Sequence, residues 1–363
     1  MAIILRSGTK RLSENRKPIK KQKSGSLFLI GPYFDSIFII GAPIISLLIG
    51  VFVANPPLNH EDAAFGYEQS WVDFFLGIFV FAHLVIVIFR SHLNQEIFNQ
   101  FPLRFSLVPL LLFIAMGTST KLLILCTAVA VFWDIYHSSM QTFGISRIYD
   151  IRAGNYENIG RRLDIVLNLL LYIGPIAAGC TLVDHLEELH NLEQIGIVLF
   201  TRTPTISESN TDLIGWLLLC MAIPFLIIYI FVFRYYTRRG LYRFCSQKTT
   251  LLISTALCSV YAWGFNPFGM AFFIMNFFHA LQYFAIIWWA ENTNIAKFIG
   301  CRDKSWRNVA TLTLILFVGF SFGFFAESID ETSGDWLFSL LLVVSLMHFW
   351  YDGFIWSVSR KQN

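Results

Sequence analysis

Polar side chains capable of chemistry recur in this sequence at helical spacing inside apolar stretches. The stretch WLFSLLLVVSLMHFWYDGFIWS carries His348 and Asp352 one turn apart, and MAFFIMNFFHALQYFAIIWWA carries Asn276, His279, Gln282 and Tyr283 within two turns. VFWDIYHSSMQTFG places Asp134, His137 and Gln141 at i, i+3 and i+7, and WVDFFLGIFVFAHLVIVIFR contributes His83, with His92 just beyond it. Residues at these spacings share one helix face. An Asp at the centre of a membrane helix costs about 2.5 to 3.5 kcal/mol on insertion scales, so such groups persist where a partner or a function holds them. Neutral imidazole ligates iron, copper or zinc, a carboxylate beside it fits iron, and Asp or Gln can hold a ligating ring in one tautomer. The candidate metal ligands are His83, His137, His279 and His348, with His92 as the fifth and weakest. Asp134, Asp352, Gln141, Gln282 and Tyr283 are the candidate catalytic groups beside them.

The elements that position these residues follow from composition. The 363 residues are 55% hydrophobic and 14% charged, with a mean hydropathy of +0.58, which is the balance of an integral membrane protein. Apolar runs fall at about 33–54, 71–90, 105–118, 121–140, 163–183, 213–233, 249–264, 270–290, 308–326 and 336–357, the third and seventh being short. The expected fold is therefore all-α, a polytopic bundle of about ten transmembrane helices (eight to ten) with both termini cytoplasmic. That arrangement puts all of the 27 Lys and Arg except Lys121 and Arg202 on the cytoplasmic side, as the positive-inside rule requires. On the same topology, helical rise places His83, His279 and His348 about 10 to 13 Å inside the cytoplasmic interface.

Residues 1–26 read as a basic disordered tail that sets topology and touches anionic lipid, and 27–363 as a single transmembrane domain. Nothing points to nucleic-acid binding. The six cysteines form no C-x-x-C pair, and none lies in an outer loop, so neither disulfides nor an iron-sulfur centre is expected. His185 and His190, set among Glu residues in an outer loop, read as a solvated face. Asp35 reads as a carboxylate at a helix start, and Pro175 predicts a kink.

Two of these segments carry a resemblance. HFWYDGFIW, with a His followed four residues later by Asp, is similar to the last span of the bacterial membrane-embedded carotenoid 15,15'-dioxygenases of the Brp/Blh type. FFHALQYFAIIWW resembles an earlier span of that family. The match covers about a tenth of the chain. It implies a helical membrane fold with a His-ligated iron centre, His279 and His348 among the ligands and Asp352 beside them, that uses O2 on an isoprenoid. Gln282 stands where the family has a second His, and the P-H-G-x-x-D type motif is not found.

The reading reached is a membrane-embedded, metal-dependent oxidoreductase or oxygenase with one or two iron ions, copper or haem being alternatives. Its substrates would be O2 and a lipid or isoprenoid, and its setting a bacterial cytoplasmic (inner) membrane. A proton-coupled transporter using His and Asp relays, with GFNPFG (Gly264 to Gly269) as a broken helix, stays open. So does a structural subunit of a membrane complex, and the chain could equally form a homo-oligomer.

Overall fold

The computed structural model describes residues 27–52, 71–198, 200, 202–301, 303–329 and 334–356. The basic segment 1–26 and His60 lie outside them. Every regular element among the described residues is helical. In chain order these are α1 (Pro32–Phe38), α2 (Ala42–Phe52), α3 (Trp71–Val85), the short α4 (Ile88–Ser91) and α5 (Gln95–Phe98), α6 (Pro102–Thr118), α7 (Thr120–Arg152) and α8 (Arg161–Ala178). There follow α9 (Leu182–Asn191), α10 (Thr203–Glu208), α11 (Thr211–Arg238), α12 (Ser246–Phe265), α13 (Phe268–Phe298), α14 (Lys304–Glu327) and α15 (Asp335–Ile355).

Among the described residues, six helical stretches are long and apolar enough to cross a membrane: Phe74–Ser91, α7, α11, α13, Ser305–Glu327 and α15. The pair α1 and α2, bent by 41°, and α8 with Leu182–Ile195, bent by 98°, would bring the number to eight. This is fewer than the ten expected, although each apolar run read from the sequence does fall on a helix. The shortfall has physical causes. The 17 residues of α6 span about 26 Å at 1.5 Å per residue, less than a hydrocarbon core of about 30 Å. The first turn of α12 is polar, with Ser246, Gln247, Lys248 and Thr249.

Local signals start the helices where they begin. Proline occupies the first turn of α1 and α6, where its missing N–H has no helical partner to lose. Ser119, Asn94 and Asp303 cap α7, α5 and α14 through their side-chain oxygens. Asp35 is buried and accepts from the backbone N–H groups of Leu29, Ile30 and Gly31 at 2.5, 2.9 and 3.2 Å, and from Tyr149 Oη at 2.8 Å. It therefore organises the entry to α1, in keeping with its reading as a helix-start carboxylate. GFNPFG is a two-residue turn between α12 and α13 rather than a break within one span. The break lies instead at residues 39–41, where the Ile39 carbonyl receives the Gln282 amide at 2.7 Å. A freed carbonyl at membrane depth needs such a partner.

Close approach of backbones sets α3 against α14. Gly319 and Gly323 are four residues apart, and a Cβ on Gly319 would sit 3.3 Å from the Ala82 carbonyl, while one on Gly323 would collide with that of Ile78. Small residues at this spacing let membrane helices pack closely, and Ile78 and Ala82 lie just ahead of His83. Around them α13 packs against α2, α3, α12 and α14, and α15 against α3, α6 and α7. One buried apolar cluster joins Ala82, Ile86, Tyr283, Ile287 and Leu346, and a second joins Ala42, Tyr172, Ala262 and Phe278. His279 lies between Phe278 of the second and Tyr283 of the first. α11 packs chiefly on α8 and buries none of its most apolar window.

Candidate metal centre

The candidate ligands come from α3, α7, α13 and α15. His83, His137, His279 and His348 are each 5% exposed or less. His137 Nε2 lies 3.2 Å from His279 Nε2 and 3.1 Å from His348 Nε2. The His83 ring is centred 5.1 Å from that of His279 and 5.0 Å from that of His348, nearly perpendicular to both. His83, His279 and His348 each offer a ligand nitrogen within 4.8 Å of the others, and His137, His348 and Asp352 form a second such group. Either group could hold a metal ion.

The geometry is compatible with a cation among the rings. A neutral imidazole nitrogen bears either one proton or one lone pair, so His137 Nε2 can make one hydrogen bond, yet it faces two nitrogens at bonding distance. Ligand atoms about 2.1 Å from one ion stand about 3.0 Å apart at right angles and up to about 4.2 Å apart across it. The separations among His137, His348 and Asp352, from 3.1 Å between His348 and His137 to 4.0 Å between His348 Nε2 and Asp352 Oδ2, fall in that range, and the ligand atoms of the group with His83 lie within 4.8 Å of one another. His83 Nε2 and His279 Nδ1 are buried without a hydrogen-bond partner. The His83 ring is oriented from its other side, because Nδ1 donates to the Val80 carbonyl and leaves Nε2 for the site.

Asp352 takes the ligand side of the rings, its Oδ2 3.8 Å from His137 Nε2. Its Oδ1 accepts from Tyr283 Oη at 2.9 Å and from Trp356 Nε1 at 3.0 Å. The Arg90 guanidinium lies 3.8 Å over the Trp356 ring and pairs with Glu291 at 2.7 Å, and Asn94 and Asn294 also donate to Glu291. A supporting shell thus runs from the helix ends to the carboxylate at the centre.

The other candidates divide. Gln141 donates to the His279 carbonyl and to Gln282 Oε1, both at 3.1 Å, and Gln282 continues to Ile39, so this pair ties α7, α13 and the α1–α2 break together beside the rings. Asp134 lies one turn from His137 and accepts from Asn276 at 3.4 Å. Tyr283 packs on His348 with ring centroids 4.6 Å apart. His92 does not join the group, since Nδ1 meets Ser91 Oγ at 2.8 Å and Nε2 meets the Phe105 carbonyl at 3.1 Å. Burial pushes its pKa down against the pull of the Phe105 carbonyl. His185 is not a solvated loop residue: it is 3% exposed and wedged between Trp263 and Phe268.

Sequence reasoning passed over two buried ionic clusters. Arg90 with Glu291 is one. The other joins Arg147 and Lys248 to Asp150 and Asp164 at 2.6 to 2.8 Å, with Tyr242 and Tyr229 donating to the two carboxylates. Desolvation, then the Asp150 charge, push the Tyr242 pKa up and keep it a neutral donor. A signal existed in Glu291, the one acidic residue of α13. No family model matches this chain, and neither a curated protein nor a solved structure matches it significantly.

Proposed function

We propose that the chain is an integral membrane oxidoreductase that holds iron among His83, His137, His279 and His348, with Asp352 as a fifth donor, and uses O2 on a lipid or isoprenoid. The observation that carries this reading is the position of His137 Nε2, within bonding distance of two other imidazole nitrogens that it cannot both hydrogen-bond. An ion at that point would supply redox chemistry and an open coordination position for O2. The chain's own groups do the rest. Tyr283 and Trp356 hold Asp352 in place, the Val80 carbonyl sets the His83 tautomer, and the surrounding Phe side chains exclude water. On this reading the termini lie in the cytoplasm and the site in the cytoplasmic half of a bacterial inner membrane; the positive-inside pattern supports the orientation.

The test is O2 uptake by purified, iron-loaded protein given a membrane lipid extract, with mass spectrometry of the products. Lipid-dependent uptake and an oxygenated or cleaved lipid, both lost in His279→Ala with the protein still folded, are expected. Full metal loading without lipid-dependent uptake would end the oxygenase reading. A proton-coupled carrier is the second reading, favoured by the bent α1–α2 pair beside Gln282 and Gln141, and pH-driven uptake by metal-free protein in vesicles would select it.

A further inference from the structure

The four histidine helices share a cavity. Its volume is about 490 Å³, within the range of small-molecule pockets. Val80, Asp134, Asn276 and Ser345 all line it, and each is the third residue before one of His83, His137, His279 and His348. They form a layer about 4.5 Å from the imidazoles along the helices, at 1.5 Å per residue, and His83 itself reaches the cavity wall. Most of the remaining lining is apolar. Glu327, at the end of α14, also lines the cavity and already has an interaction partner. Within the layer, Val80 is apolar and the Ser345 hydroxyl donates to the Leu341 carbonyl at 3.1 Å. The polarity of the layer therefore rests with Asp134 and Asn276.

Asp134 stands apart from the other interior carboxylates in what it is given to accept. Asp35, Asp150, Asp164, Glu291 and Asp352 each hold two or more donors. Among the described residues Asp134 holds one, the Asn276 amide, at 3.4 Å. A carboxylate offers about four acceptor positions, and burial makes unmet ones costly. The Asn276 amide cannot be turned round to help, because its Nδ2 donates to the Phe272 carbonyl at 3.1 Å as well as to Asp134, and both partners are acceptors. Its Oδ1 is thus a further acceptor, and the pair presents oxygens in need of a donor. We propose that this cavity binds a lipid alcohol, its hydroxyl donating to Asp134 beside Asn276 and its hydrocarbon body filling the apolar lining. The proposal rests on the metal-site reading for its chemistry and names the substrate class. A hydroxyl gains a charge-assisted hydrogen bond there, whereas a ketone or a carboxylate brings acceptor oxygens against acceptor oxygens. Held one turn from the imidazoles, the carbon that bears the hydroxyl, with its neighbours, is the part of the molecule that meets the ion.

The experiment is photo-crosslinking in nanodiscs with two probes, a branched long-chain secondary alcohol bearing a diazirine near the hydroxyl and the matching ketone, with labelled residues read by peptide mass spectrometry. The alcohol is expected to label the segments around Val131 and Ser345 about tenfold more than the ketone does, the factor that one hydrogen bond to a charged group supplies. Asp134→Leu, which keeps the bulk and removes the acceptors, should bring the two probes level. Val131→Trp and Leu342→Trp, which fill the cavity from α7 and α15, should each abolish the label. Equal labelling by both probes in the native protein would overturn the proposal without recourse to any variant. A preference that survives in folded Asp134→Leu, or labelling that survives both Trp variants, would do the same. Metal content measured on the same preparations separates the two ideas: intact metal without selective labelling sinks the alcohol site alone, and selective labelling of metal-free protein sinks the centre.

Discussion

Tyr283→Phe isolates the support of Asp352 from the packing around it. The substitution deletes the phenolic donor 2.9 Å from Asp352 Oδ1 and keeps the ring that packs 4.6 Å from His348. A hydrogen bond to a charged group is worth about 1.5 to 3 kcal/mol, and each 1.4 kcal/mol is a factor of about ten in Kd. Metal affinity should therefore fall about 10- to 100-fold, the range for groups that orient a ligand. Trp356 Nε1 donates to the same oxygen at 3.0 Å, so Trp356→Phe should cost a similar factor. Because both donors hold one atom, the double variant should depart from additivity. The assay is competition against a chromophoric chelator in detergent, with unfolding followed in parallel. A Tyr283→Phe protein that is folded and binds metal within about twofold of the native affinity would refute a role for Asp352 at the ion.

Three further outcomes follow from the same coordinates. His92→Asn should leave metal content unchanged, because both ring nitrogens are engaged elsewhere, and should lower stability by about 1 to 2 kcal/mol, as read by thermal unfolding in detergent. Lys248→Met leaves Asp150 and Asp164 with one cation in place of two. It should cost about 3 to 5 kcal/mol by the same assay, and Lys248→Met with Asp164→Asn should recover part of the loss by restoring neutrality. His185 lies on α9, beyond the 98° bend after α8 and outside the six long apolar stretches, and burial holds its pKa below the ordinary 6.5. As pH falls below that value the unfolded chain takes up a proton that the folded chain refuses, so stability drops. The midpoint should fall between about pH 7.5 and pH 5.5, and His185→Leu should flatten this slope.

The convergence of four histidines was legible because each sits in an apolar stretch, where the cost of burial marks it, and His83, His279 and His348 share a similar depth, whereas His137 reads as shallower and was carried by its one-face spacing to Asp134 and Gln141. Asp352 was legible from its one-turn spacing to His348, yet its side of the ring was not, since spacing fixes a face but not which nitrogen a carboxylate approaches. His92 shared the depth signal only loosely, and its place was decided by the Phe105 carbonyl, which belongs to α6. The span count exceeded the eight that the bent pairs allow because hydropathy marked α6 and α12 as apolar runs, although α6 is too short to cross and α12 opens on a polar turn, and hydropathy did not register the 41° and 98° bends either. The ionic clusters stayed hidden because Arg147 and Lys248 sit on separate helices and read as topology markers. Gly319 and Gly323 carried a visible small-residue spacing, and its partner helix was the missing information. His185 looked solvated beside its Glu neighbours, and only the turn that lays α9 over Trp263 buries it.

The account stands most directly on metal content joined to X-ray absorption of the purified native protein. It predicts about one or two equivalents of iron with imidazole nitrogens at about 2.0 to 2.1 Å, retained in His92→Asn and lost in folded His137→Ala. Folded native protein, supplied with iron during preparation, that holds less than about a tenth of an equivalent of any transition metal would contradict it, as would a bound metal without imidazole ligands.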